Sequence, residues 1–139
     1  MREILFRGKR VDNGEWVDGS LLYDSEQNES YIAVNYNDKV ARVQEVIPET
    51  LGQFTGLTDK NGKKIFEGDI IKIPDDYDEF GINAGEIYEV YFAFGGFRLK
   101  PKYRPNAKGF WLDEDETFEV IGNIHDNPEL LYYALSTVL

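Results

Sequence analysis

His125 is the only histidine in the chain and cysteine is absent, so a nucleophile working with an imidazole base has one side chain to run through. Its neighbours Asp126 and Asn127 are of types that orient such a ring, but a histidine beside a helix start more often bonds to local backbone, and that structural role is the expectation. The acidic runs Asp75, Asp76, Asp78, Glu79 and Asp113, Glu114, Asp115, Glu116 supply the oxygen ligands that hard cations take. Neither has the EF-hand pattern of acids at alternating positions, a central Gly and a distal Glu. Consecutive carboxylates splay into solvent, so both runs read as exposed loops. A magnesium-dependent nuclease calls for an acid and a downstream acid-x-Lys on a strand, and no Asp or Glu here has Lys two residues later. The phosphate-cradling loops Gly-x-x-x-x-Gly-Lys-Ser/Thr and Gly-x-Gly-x-x-Gly are missing too. The expectation is therefore no catalytic residue, no cofactor, no metal and no enzyme. A carboxylate-dependent hydrolase stays open as the last alternative, because the separation of a carboxylate pair is spatial.

One segment runs against the rest of the chain. Val90 to Leu112 holds Arg98, Lys100, Lys102, Arg104 and Lys108 and no acid, so it carries +5 while the remainder of this −11 chain carries −16. Tyr91, Phe92, Phe94, Phe97, Tyr103, Phe110 and Trp111 are interleaved with those cations, and Pro101 and Pro105 suggest a long irregular loop. Cations beside aromatic faces suit single-stranded nucleic acid, an anionic partner or the acidic face of a neighbouring subunit. The competing reading is that the rings are core and the cations offset nearby carboxylates. Arg98, Lys100, Lys102, Tyr103, Arg104, Lys108 and Trp111 are the candidate binding residues. Tyr103, between Lys102 and Arg104, is the ring expected at the surface, since Tyr91, Phe92, Phe94 and Phe97 fit a hairpin.

The elements that would position this segment are strands. Asn13-Gly14, Asp18-Gly19, Asn37-Asp38, Asn61-Gly62 and Gly95-Gly96 mark turns at short intervals, most of them suited to the positive φ of tight hairpins. Between them lie Val-, Ile-, Tyr- and Phe-rich stretches, the pattern of an antiparallel meander. Strands are predicted at Ile4–Arg7, Trp16–Tyr23, Tyr31–Tyr36, Val40–Val46, Asp69–Ile73, Glu86–Phe94, Phe97–Lys100 and Thr117–Ile124, with Ile65-Phe66 re-entering the sheet. Tyr88, Val90, Phe92 and Phe94 share a face, and Gly122 leaves room for a close neighbour. Asn127 as N-cap and Pro128 at the first helical position predict a short C-terminal helix, with Leu131, Leu135 and Val138 on one face. Ile47-Pro48-Glu49-Thr50 reads as the crossing from an N-terminal lobe, residues 1–50, to a larger one, residues 51–139.

The totals agree. At 139 residues, 42% hydrophobic and 14% aromatic, the chain has ample apolar area for a core. Its negative charge disfavours nucleic acid over the molecule as a whole. The N-terminal residues lack the apolar run of a signal peptide and no stretch is long enough to span a membrane, so the cytoplasm is the expected compartment.

Several phrases resemble one family. Arg2-Glu3-Ile4-Leu5-Phe6-Arg7-Gly8, Asn13-Gly14-Glu15-Trp16-Val17 and Thr50-Leu51-Gly52-Gln53-Phe54-Thr55-Gly56-Leu57 are followed by Asp59-Lys60-Asn61-Gly62-Lys63 and Phe66-Glu67-Gly68-Asp69-Ile70. Glu119-Val120-Ile121-Gly122-Asn123-Ile124-His125-Asp126-Asn127-Pro128-Glu129 closes the series. In this order they resemble the YopX family of small bacteriophage and prophage proteins, with Pro74 to Thr117 as the variable part. The resemblance implies a mainly β protein whose C-terminal portion is an SH3-like barrel, a fold that hosts many unrelated binding functions, and it implies no known activity. The expectation is a non-catalytic phage accessory protein that binds a host or phage protein or self-associates as a homo-oligomer. The alternative is a nucleic-acid-associated protein using the basic aromatic segment 98–111.

Overall fold

Alternating apolar and polar residues between turn-forming pairs bury one face of each segment, and among the described residues strands are the main element. The structure, a computed structural model, describes residues 3–36, 39–74, 85–102, 110–112 and 117–132. It is mainly β, with antiparallel pairing throughout the described strands and only two short 3₁₀ turns. The chain divides into two compact units, residues 1–56 and 57–139.

In the first unit β1 (Phe6–Lys9), β2 (Trp16–Asp24), β3 (Glu29–Tyr36) and β4 (Lys39–Val46) form a meander. A 3₁₀ turn at Pro48–Thr50 leads into β5 (Gly52–Thr58), which returns beside β1 and gives the order β4-β3-β2-β1-β5. Ile32 and Val46 are fully buried on one face of the meander. The turn lies within this unit and is tied down by Thr50, whose hydroxyl accepts from the Lys9 N–H at 2.9 Å and donates to the Ile47 carbonyl at 2.6 Å.

In the second unit β6 (Lys64–Phe66) follows the end of β5. Then β7 (Asp69–Lys72), β8 (Ile87–Ala93), β9 (Gly96–Pro101) and β10 (Phe110–Trp111) form a second meander, and β11 (Glu119–Asn123) returns to pair with β7. The order is β10-β9-β8-β7-β11. Ile65, Ile71, Ile73, Tyr88, Val90, Leu99 and Phe118 make its core. Each such side chain contributes about 1.5–3 kcal/mol of burial free energy before chain entropy is counted. The register slips between Val120 and Gly122, a bulge that bends β11.

The structure departs from the sequence reading at four places. Asn61-Gly62, read as one of the tight-hairpin pairs, has positive φ at Gly62 alone, +78°. The Gly62 N–H instead donates to the Asp59 carbonyl at 3.0 Å and the Asp59 N–H to the Lys63 carbonyl at 2.8 Å, the closure of a three-residue loop with Gly in the left-handed position. The Gly95-Gly96 turn is displaced by one residue: Ala93 pairs with Gly96, and Phe94 and Gly95 are the central pair, with φ +54° and +83°. Asn127 does not cap forward. Its Oδ1 accepts from the Asn123 N–H behind it at 3.2 Å, and the expected helix, with Pro128 in its first turn, is among the described residues a 3₁₀ turn at Pro128–Leu131 that ends at the extended Tyr132. Finally, β5 and β10 were not expected as strands. Leu135 and Val138 lie outside the described residues, as do both acidic runs.

Gly122 does admit a close neighbour. A Cβ there would sit 2.5 Å from the Asn127 Oδ1 that reaches back over it.

Candidate functional site

The β8–β9 hairpin decides where the candidate cations go. Tyr91 pairs with Arg98 and Glu89 with Lys100, while Trp111 of β10 pairs with Arg98 from the other side. Directly opposed residues share a face, so Tyr91, Arg98, Lys100 and Trp111 stand together on the face opposite Tyr88, Val90 and Leu99. The Arg98 guanidinium carbon is 4.4 Å from the Trp111 ring centroid and 5.3 Å from that of Phe94. Lys100 Nζ is 5.0 Å from the Tyr91 centroid and 3.9 Å from Glu89 Oε1. Such cation–aromatic contacts contribute about 0.5–1 kcal/mol each at exposed sites.

Trp111 lies flat over the strand because residue 96 is glycine. A Cβ at Gly96 would come within 2.4 Å of the indole Cζ3. On the other face Phe92 meets Phe97 edge to face, with centroids 5.3 Å apart and planes at 76°. The core stops at Val90, and beyond it Phe92, Phe94 and Trp111 are 53%, 66% and 52% exposed. The hairpin end is thus aromatic on both faces and around its turn, with Arg98 among the rings.

Of the seven candidate residues, Arg98, Lys100 and Trp111 come together here. Lys102 follows the last strand residue, its N–H donating to the Ile87 carbonyl at 3.0 Å. Tyr103, Arg104 and Lys108 lie outside the described residues. The expectation that Phe92 and Phe94 would continue the buried face is corrected: Phe92 shares the face of Val90 but lies past the core, and the left-handed turn takes Phe94 out of the alternation.

Asp59 is a residue that sequence reasoning passed over. It is buried, and its Oδ1 accepts from the Asn61 and Lys63 N–H groups at 2.8 and 2.9 Å while its Oδ2 accepts from the Val120 N–H at 3.0 Å. Burial alone would raise its pKa, but the N–H donors of Val120, Lys63 and Asn61 outweigh that and hold the carboxyl below the ordinary value. Its position at the head of a turn ending Asn61-Gly62 was the available signal. Every partner is backbone, so the role is structural.

The backbone at His125 is also held in a local turn. Asn123 Oδ1 accepts from the N–H groups of His125 and Asp126 at 3.0 and 2.9 Å, and Asn123 Nδ2 donates to Asp126 Oδ2 at 3.1 Å, an Asx turn. Among the described residues no three His, Asp or Glu side chains are grouped to hold a metal, and no helix is long and apolar enough to cross a membrane.

Fold and surface together define a small antiparallel β protein with an aromatic, cationic hairpin end. Residues 5–132 match the profile of the family described as YopX protein, and the chain belongs to that family. Among solved structures it is similar to the crystal structure of protein EF1440 from Enterococcus faecalis, with 23% sequence identity over 95% of this chain and 100% of that one and a TM-score of 0.55. That likeness is one of fold. No curated protein matches the chain.

Proposed function

We propose that the protein is a non-catalytic binding module that docks through the turn end of the β8–β9 hairpin, and that it self-associates. The observation that carries this reading is Phe94, a bulky aromatic in the left-handed conformation at the tip of a tight turn, facing solvent. A left-handed L-residue costs about 1–2 kcal/mol. The contact with Arg98 returns about 0.5–1 kcal/mol at most. Asparagine or glycine would make this turn without strain. An aromatic kept there fits a surface whose worth lies in contact with another molecule.

Around this site the finer reading is a cytoplasmic phage or prophage accessory protein whose partner is another copy or a host or phage protein. Residues 51–139 are read as an SH3-like barrel and residues 1–50 as a separate lobe. A meander whose last strand returns beside its first, with a bulge to bend it, supports the barrel reading.

A second reading, single-stranded nucleic acid, is favoured by the aromatic rings beside Arg98 and Lys100, which resemble a stacking platform. It has the whole-chain charge against it.

Trp16→Phe leaves Trp111 as the sole tryptophan and hence a reporter of this surface. Acrylamide quenching of its emission is expected to weaken as protein concentration rises. Quenching that stays the same at every concentration and with added single-stranded oligonucleotides would overturn docking at this end. Shielding by the oligonucleotide alone would select the second reading.

A further inference from the structure

The first unit carries a counterpart to the hairpin. From Val11 to Asn37 the chain holds Asp12, Glu15, Asp18, Asp24, Glu26 and Glu29 and no Lys, Arg or His, the inverse of the Val90 to Leu112 segment. Register shows where part of this charge stands. Leu22, Tyr31 and Glu45 form one cross-strand row, Ser20, Ala33 and Val43 the next, and Asp24 faces Glu29 in the row beyond. All lie on the face opposite Ile32 and Val46. Leu22 and Val43 are 46% and 48% exposed, so this face is apolar as well as acidic. Tyr31 donates its hydroxyl to Glu29. That bond, then burial and the charges of Glu29, Glu45 and Asp24, push its pKa up to about 12.

We infer that the β8–β9 hairpin end of one copy docks on the β2–β3–β4 sheet face of a second copy, setting Arg98 and Lys100 against Asp24, Glu29 and Glu45, and Phe94 and Trp111 against Leu22 and Val43. This rests on the self-association reading above and adds which surface receives the hairpin. The sign of the charges selects the arrangement. Hairpin against hairpin would oppose Arg98 and Lys100 to their own copies, and face against face would oppose Glu29 and Glu45 to theirs, whereas hairpin against face opposes unlike charges. Every copy has one hairpin and one acceptor face, so a reciprocal pair closes as a two-fold dimer, whereas a one-way contact continues until it closes into a larger ring or grows as a chain.

The test uses two variants of the full chain, altered at the exposed Phe94, Leu22 and Glu45 and the half-buried Arg98, each checked for the wild-type circular dichroism spectrum. The hairpin variant combines Phe94→Asn with Arg98→Ala, and the face variant combines Leu22→Ser with Glu45→Gln. Sedimentation velocity on the wild type is expected to show mass rising with concentration at low ionic strength and association weakened about tenfold or more at ~0.5 M salt. Each variant alone is expected to stay monomeric. Mixed in equal amounts they should form a 1:1 dimer and nothing larger, because each still has the half that the other lacks. A mixture that stays monomeric would mean that the intact hairpin of one variant does not dock on the intact face of the other, and would overturn the inference while leaving self-association intact. A face variant that assembles like the wild type would do the same. A wild type that is monomeric at every concentration and salt would remove self-association itself, together with the acceptor face.

Discussion

Two tight turns of the second unit show opposite uses of a polar or aromatic side chain. At the turn before β6, Asp59 is drawn inward and its two carboxylate oxygens take three backbone N–H groups. At the turn between β8 and β9, Phe94 is turned outward on a strained backbone, with Arg98 and Trp111 beside it. The first turn improves local energy and offers nothing to solvent, while the second sacrifices local energy and offers an aromatic surface. The contrast separates a residue kept for the fold from one kept for a partner, even though both sit in short loops.

The sharpest way to break the contrast is Asp59→Ala, which strands three donors. A loss of about 3 kcal/mol is expected in urea denaturation, since each buried unsatisfied N–H costs about 1–3 kcal/mol. A loss below ~1 kcal/mol would show that the carboxylate does not hold the turn. A smaller effect follows from its titration. The folded-state pKa of Asp59 is depressed, so its contribution is fully present above the unfolded value of about 3.9 and is lost as pH falls through that value toward the folded one. Asp59→Asn is expected to flatten the fall in urea midpoint below about pH 4 relative to the wild type; parallel pH profiles would refute this. The smallest effect has the opposite sign. Phe94→Asn should raise stability by about 1 kcal/mol by relieving the left-handed strain, while weakening association. A variant that loses stability would place Phe94 with Asp59, as a residue of the fold.

Most strands were legible because their pattern is local. Glu86–Phe94 was expected and Ile87–Ala93 forms, and the Trp16 and Tyr31 strands extend by one and two residues. What escaped depends on distant residues. Gly52 to Thr58 carries glycine at Gly52 and Gly56 and has weak alternation, and what local pattern does not show is its place between β1, which pairs with Gly52 and Gln53, and β6. Gly95-Gly96 is a natural turn centre, yet Gly96 is needed in the strand, where the Trp111 indole occupies the space of its Cβ. That requirement moves the turn back onto Phe94, a residue type that local propensity would not place there. Of the candidate residues that composition marked, Arg98, Lys100 and Trp111 stand on one face of the sheet, and Tyr103, Arg104 and Lys108 lie outside the described residues. The meeting of Arg98 and Trp111 with Phe94 follows from the register of two strand pairs and the turn between β8 and β9, which no single stretch encodes.

The Asp59 carboxylate also links parts of the chain made far apart in time. Its Oδ2 partner is 61 residues downstream at Val120, the Lys60 N–H donates to the Phe118 carbonyl at 2.8 Å, and Lys60 Nζ lies 3.2 Å from Glu119 Oε2. During synthesis the turn emerges from the ribosome well before β11, so its acid must wait in water until the last strand arrives. A product broken off ahead of Val120 would have to bury that charge without its final donor or leave the β6 end of the unit open to proteases. One carboxylate thereby makes completion of the second unit depend on its last strand.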